Sequence, residues 1–209
     1  MSSVVVSGDT SGAITIAAPL VAGSGTLTLP TGTDTLVGLA ATQTLTNKTL
    51  GTGTVLPSGS VLQVVSTDSG AVATGTTTIP YDDTIPQITE GDQYMTLAIT
   101  PKIASSTLVI NVVFHGTNSD TTDRRLTAAL FRDATANAIG VSSTTYSSVN
   151  QFEGIQFSVA AAAVSAVATT FRVRAGLAIA GTTTFNGSVS ARKFGGVLSS
   201  SIRITEVTA

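Results

Sequence analysis

Aromatic side chains are confined to one part of this chain. The first is Tyr81, and all seven phenylalanines lie between Phe114 and Phe194. Residues 1–57 therefore have no large rings with which to fill an interior, and a core built from small side chains buries too little surface to stand alone. The same residues carry only Asp9, Asp34 and Lys48 as charges. They also lack the charge that keeps a disordered tail solvated. Such a segment is expected to be stable when something else covers it, either further copies of itself or a different protein. If fully extended, 57 residues reach at most roughly 190 Å, so an extended, intertwined arm or stem is the expected form.

The local pattern of that arm is β-like. Ala13-Ile14-Thr15-Ile16 and Thr26-Leu27-Thr28-Leu29 alternate apolar and polar residues, the period-2 signature of a half-buried strand. Gly23-Ser24-Gly25 and Pro30-Thr31-Gly32 punctuate them as turns.

Residues 58–209 read differently, as a globular all-β head. Strands are expected at 61–65, 76–79, 95–100, 108–114, 126–131, 152–159, 170–179, 183–189 and 201–207. The clearest alternation is Phe171-Arg172-Val173-Arg174-Ala175, with Phe171, Val173 and Ala175 on the core side. Asn186-Gly187 has the composition of a tight hairpin turn. Residues 123–132 and the alanines at 160–163 also have helix-forming character. The first segment is read as a strand and the second as a loop. Short strands separated by turn signals fit a β-sandwich of jelly-roll type.

Composition narrows the function. Charged residues make up 11% of the chain, against roughly 25% in an ordinary soluble domain. Ten basic and twelve acidic residues give a net charge of −2, which is no electrostatic footprint for nucleic acid. The chain has no Cys and one His, so zinc sites and disulfides are not expected. No apolar run reaches the ~18 residues of a spanning helix, so no membrane insertion is expected. The N-terminus lacks the basic and apolar regions of a signal peptide, and synthesis in the cytoplasm is the expectation.

Catalytic constellations are also missing from the sequence. A serine nucleophile needs a histidine and an orienting acid, but His115 is alone and no Gly-x-Ser-x-Gly elbow surrounds any serine. The carboxylate pairs Asp82 with Asp83, Glu90 with Asp92, and Asp120 with Asp123 lie in turn-like surroundings. They are read as turn caps before they are read as the paired acids of a glycosidase. Asn118, Asp120 and Asp123 offer hard oxygen ligands, but without the spacing of a calcium loop. The chain is expected to be non-enzymatic and to need no cofactor.

One stretch is more specific. Thr33-Asp34-Thr35-Leu36-Val37-Gly38, followed by Thr44-Leu45-Thr46-Asn47-Lys48-Thr49-Leu50, resembles a stem segment of tailed-bacteriophage structural proteins, especially aquatic and cyanobacterial ones. Pro57-Ser58-Gly59-Ser60-Val61-Leu62-Gln63-Val64-Val65 and the terminal Ser201-Ile202-Arg203-Ile204-Thr205-Glu206-Val207 resemble the first and last strands of their distal domains. The resemblance implies a homotrimeric virion surface projection with a jelly-roll or tumour-necrosis-factor-like head. In that picture Thr35, Leu36, Val37, Leu45, Asn47 and Leu50 dock the arm on other virion proteins and on each other. Loops 81–93, 116–124 and 144–151 would face a host glycan or protein, through Tyr81, Asp83, Asn118, Asp120 and Tyr146. A short tail fibre is the leading expectation. About thirty residues precede the motif, fewer than many tail fibres carry, which brings in a capsid decoration protein as the alternative. A bacterial surface adhesin is the reading from another class.

Overall fold

Alternation in the sequence becomes two packed antiparallel sheets. The computed structural model describes residues 3–7, 11–17, 56–118 and 124–209. The chain divides into two compact units, residues 1–52 and 53–209.

In the first unit, β1 (Ser3–Ser7) pairs antiparallel with β2 (Ala13–Ala17), with Val5 opposite Thr15. The predicted 13–16 strand is thus one arm of a hairpin, and the Val4-Val5-Val6 run is the other. Gly12 takes φ +80° on the return, a conformation that glycine adopts without steric cost. The strand expected at 26–29 and the docking residues Thr35, Leu36, Val37, Leu45, Asn47 and Leu50 lie outside the described residues.

The second unit holds β3 (Val61–Ser69), β4 (Ala73–Gly75), β5 (Asp92–Ile99), β6 (Thr107–Asn118), β7 (Arg124–Arg132) and β8 (Gly140–Tyr146). It continues with β9 (Phe152–Ala162), β10 (Thr169–Leu177), β11 (Thr183–Phe185), β12 (Gly187–Ser188), β13 (Ala191–Arg192) and β14 (Ser200–Val207). One sheet has the order β5-β10-β7-β8. In the other, β3-β14-β6 continues to β9 on the far side of β6, while β11 and β4 extend the flank shared with β14. The eight long strands therefore alternate between the sheets as β3-β14-β6-β9 and β5-β10-β7-β8. That is the double Greek key of a jelly roll.

The core lies between the sheets. Leu108, Ile110, Val112 and Phe114 enter it from β6; Phe171, Val173 and Ala175 from β10; and Ile202 and Ile204 from β14. Tyr94, Phe114 and Phe185 form an aromatic triangle with centroids 5.1–5.5 Å apart, the spacing of favourable ring pairs. The Tyr94 hydroxyl is buried with no hydrogen-bond partner among the described residues. Burial first, and the charge of Asp92 second, hold this phenol above its ordinary value.

Some elements depart from the sequence reading. Residues 76–79 form no strand; the pairing segment is the shorter β4, just before them. The 160–162 alanines extend β9 rather than forming a loop, because they pair with Thr107, Leu108 and Val109. Ladder pairing overrides their helix propensity here. Asn186 does not turn a hairpin. The strands on either side of it pair elsewhere, β11 with β4 and β6, and β12 with β13. Residues 140–146, not read as a strand from sequence, form β8, and residues 116–118 are the end of β6. The expected loops at 116–124 and 144–151 are shortened accordingly.

Two polar devices close the head. The Thr208 N–H donates to the Ser60 carbonyl at 2.9 Å, and the Gly59 N–H donates to the Thr208 carbonyl at 3.0 Å. The Thr208 hydroxyl also donates to the Pro57 carbonyl at 2.6 Å. The first and last residues of the head are thereby clasped together. Beside them, the buried Glu206 carboxylate accepts hydrogen bonds from Gln63 (2.6 Å), the Lys102 and Ile103 amides (2.8 and 3.1 Å) and the Ser106 hydroxyl (2.6 Å). Burial opposes its charge, yet Ser106, Lys102, Gln63 and Ile103 together hold the carboxyl below its usual value.

Candidate functional site

The outer face of the β5-β10-β7-β8 sheet is covered by residues 79–91, which cross it as a belt. Ile79 heads a small second core with Ala129 and Phe131, flanked by Ile88 and Ala138. The belt is tied down along its length. The Ile79 N–H donates to Leu177 O (3.0 Å), the Ile88 N–H to Ala136 O (2.7 Å), and the Ala138 N–H to Pro86 O (2.9 Å). Arg174, on the outward side of β10, donates to the Glu90 and Gly91 carbonyls at 2.8 and 2.7 Å. Arg172 reaches the carbonyl of Asp133 in the same way.

A cleft of about 200 Å³ opens where the belt lifts from the sheet. Pro80, Tyr81, Asp82, Thr84 and Pro86 form the belt side; Thr127, Val141, Ser142 and Ser143 form the sheet side. Tyr81 is 64% exposed. The Arg125 guanidinium carbon lies 3.7 Å from its ring centroid, a cation–π contact that covers one ring face. The Asp82 carboxylate caps its own turn by accepting the Thr84 amide and hydroxyl. The Thr84 hydroxyl first, then the Thr84 amide, lower its pKa. The cleft thus combines one tyrosine ring with its hydroxyl, one carboxylate and four serine or threonine hydroxyls. It is smaller than the roughly 300–1,000 Å³ of an enclosing small-molecule pocket, so it suits a single polar ring held at the surface.

Of the receptor-facing residues expected from sequence, Tyr81 lines this cleft, and Asp83 is exposed on the belt beside it. Tyr146 does not face a receptor. It ends β8 fully buried, and its hydroxyl donates to Gly116 O at 2.9 Å. Burial, then the charge of Glu153, raises its pKa. Its ring is buried and its hydroxyl keeps an acceptor there, the usual arrangement for a buried tyrosine. Asn118 is likewise buried, at the end of β6. Asp120 and Asp123 lie outside the described residues.

The other carboxylates named from sequence serve turns. Glu90 accepts the Gln87 amide at 2.8 Å, and Asp92 accepts the Thr77 amide and hydroxyl, both at 2.9 Å. His115 donates from Nδ1 to Ser199 O at 3.0 Å and stacks on Phe152. Among the described residues, no three His, Cys, Asp or Glu side chains gather as a metal site. No helix among them is long and apolar enough to cross a membrane.

Sequence reasoning missed a second exposed feature, residues 189–197 between β12 and β14. Val189, Phe194 and Val197 are exposed there, next to Arg192 and Lys193. The available signal was Arg192-Lys193-Phe194-Gly195-Gly196, two cations and a ring followed by paired glycines.

The fold and its surface define an all-β jelly-roll head with a shallow cleft. No family model matches the chain, and no curated protein matches it. Among solved structures it is similar to latent PorU from Porphyromonas gingivalis (10% identity, 73% of this chain, 14% of that one, TM-score 0.32). It is also similar to infectious bursal disease virus, Gt strain (9% identity, 79% and 43%, TM-score 0.33). A third is the enzymatically active domain of bacteriophage CBA120 tailspike protein 4 (14% identity, 58% and 18%, TM-score 0.24). The chain spans less than half the length of each, and likeness at this level defines no family.

Proposed function

We propose that this chain is a non-enzymatic structural protein of a phage virion, a homotrimeric surface projection whose N-terminal part docks on other virion proteins and whose jelly-roll head meets the host. The observation that carries this reading is the stem-like Thr33–Gly38 and Thr44–Leu50 motif placed ahead of a jelly-roll head. The working surface of the head supports it. The Tyr81 cleft offers a ring edge and hydroxyls suited to a host-surface sugar, and its carboxylate is occupied by its own turn. A short tail fibre is the preferred position, with capsid decoration as the second.

The bare face of the other sheet supports self-association. The outward residues of β3, β14, β6 and β9 line up across the strands as Val64, Thr205, Val109 and Ala160, then Ser66, Arg203, Asn111 and Ser158, then Asp68, Ser201, Val113 and Gln156. Only Asp68 and Arg203 carry charge in these rows, so little desolvation opposes contact with another copy.

Immunogold labelling of intact particles, with antibody raised against residues 58–209, tests the proposal. Gold at the tail supports the fibre. Gold over the shell keeps the virion role and replaces fibre with decoration. Particles that carry no gold overturn the virion reading.

A further inference from the structure

The 189–197 segment combines strain, exposure and one sign of charge. Asn186, Val189, Ser190, Phe194, Gly195 and Gly196 all have φ between 49° and 92°. Val189 and Ser190 form the two-residue turn between β12 and β13, with φ of 54° and 57°. Asn or Gly is the usual choice for such a turn, and a β-branched residue there is held against steric preference. Strain of this kind is kept at binding surfaces when the surroundings impose it.

The surroundings do impose it. Asn186 is fully buried; its side-chain amide donates to the Ser69 and Ala71 carbonyls and accepts from the Ser200 hydroxyl at 2.7 Å. Gly70 packs so close to Gly196 that a Cβ there would overlap the Gly196 carbonyl oxygen. The base of the segment is therefore fixed, and its tip is presented to solvent. Val189 is 62%, Phe194 74% and Val197 86% exposed.

The charge is one-sided. Residues 189–197 contain no Asp or Glu and carry two cations, Arg192 and Lys193. An apolar ring and two valines flanked by cations match the boundary of an anionic bilayer, where rings enter the headgroup level and cations meet lipid phosphates.

We propose that the 189–197 tip docks on an anionic lipid surface, with Phe194 and Val197 entering the headgroup region and Arg192 and Lys193 pairing with phosphates. This is contact at the interface without a membrane span, and it does not depend on the virion reading or on the Tyr81 cleft.

The test is co-sedimentation of the full chain with vesicles of phosphatidylcholine, alone or mixed with phosphatidylglycerol. Partitioning onto the mixed vesicles and not the neutral ones, weakened by added salt, is expected. Arg192→Gln with Lys193→Gln should weaken it about 25-fold, from about fivefold per charge near an anionic surface. Phe194→Ser should weaken it about tenfold through lost apolar contact, with an unchanged melting temperature. Tyr81→Ala should leave it intact. No partitioning onto either vesicle would overturn the proposal. So would partitioning that Phe194→Ser leaves unchanged, which would mean adsorption of a polycation to any anionic polymer or surface.

Discussion

The two outer faces of the sandwich have opposite fates. On the β5-β10-β7-β8 sheet, residues 79–91 cover the strands, bury Ala129 and Phe131, and occupy Arg174 with the Glu90 and Gly91 carbonyls, while Arg172 bonds to the Asp133 carbonyl. On the β3-β14-β6-β9 face no described segment of the second unit is tied across the strands in the same way, and the outward rows are valine, alanine, serine, threonine, asparagine and glutamine with only Asp68 and Arg203 charged. The chain has few charges, and on the covered face it uses them internally. The bare face is left weakly charged without being strongly apolar. That combination costs little to cover.

The largest loss of stability is expected under the belt. Phe131→Ala removes the largest ring of the covered face, and a loss of about 3–5 kcal/mol is expected, read from urea unfolding. Next is Glu206, on the inner side of the bare sheet. Glu206→Gln is expected to cost about 2–3 kcal/mol, because hydrogen bonds to a charged acceptor are the strong ones. Its folded-state pKa is lowered. Its contribution is therefore present above the ordinary carboxylate value near 4.3 and is lost as pH falls through the lower folded value. Acid unfolding curves should be steeper for the wild type than for Glu206→Gln.

A smaller effect sharpens the contrast. Arg174→Ala should cost about 1–2 kcal/mol, and hydrogen exchange should quicken in 79–91 while β14 and β6 keep their protection. The smallest change belongs to the bare face. Val64→Lys should alter unfolding by less than about 0.5 kcal/mol but lower the sedimenting mass of the chain, since the added charges would face one another in a self-contact.

Much of the sandwich was legible in the residues. Phe171 to Ala175, Leu108 to Phe114 and Ile202 to Thr205 alternate because one side faces the core and the other does not. β7 was ambiguous for the opposite reason. Leu126, Ala128 and Leu130 face the main core while Ala129 and Phe131 lie under the belt, so burial on both sides erases the period. β8 is Gly-Val-Ser-Ser-Thr-Thr-Tyr and mostly half-exposed, so its composition matched a loop. The site was less legible. Tyr81 and Tyr146 are the same residue type in similar polar company, and only the third dimension puts one in a cleft and the other beneath Gly116. The 189–197 tip was hidden because residue type does not announce a valine held at positive φ.

The clasp of Thr208 with Pro57, Gly59 and Ser60 makes the head a module with a single gate, since the chain enters and leaves it at the same spot. Such a unit can be spliced into a loop of an unrelated scaffold, or re-cut so that its old ends are joined, without rerouting a strand. A fold of this kind is portable between genes.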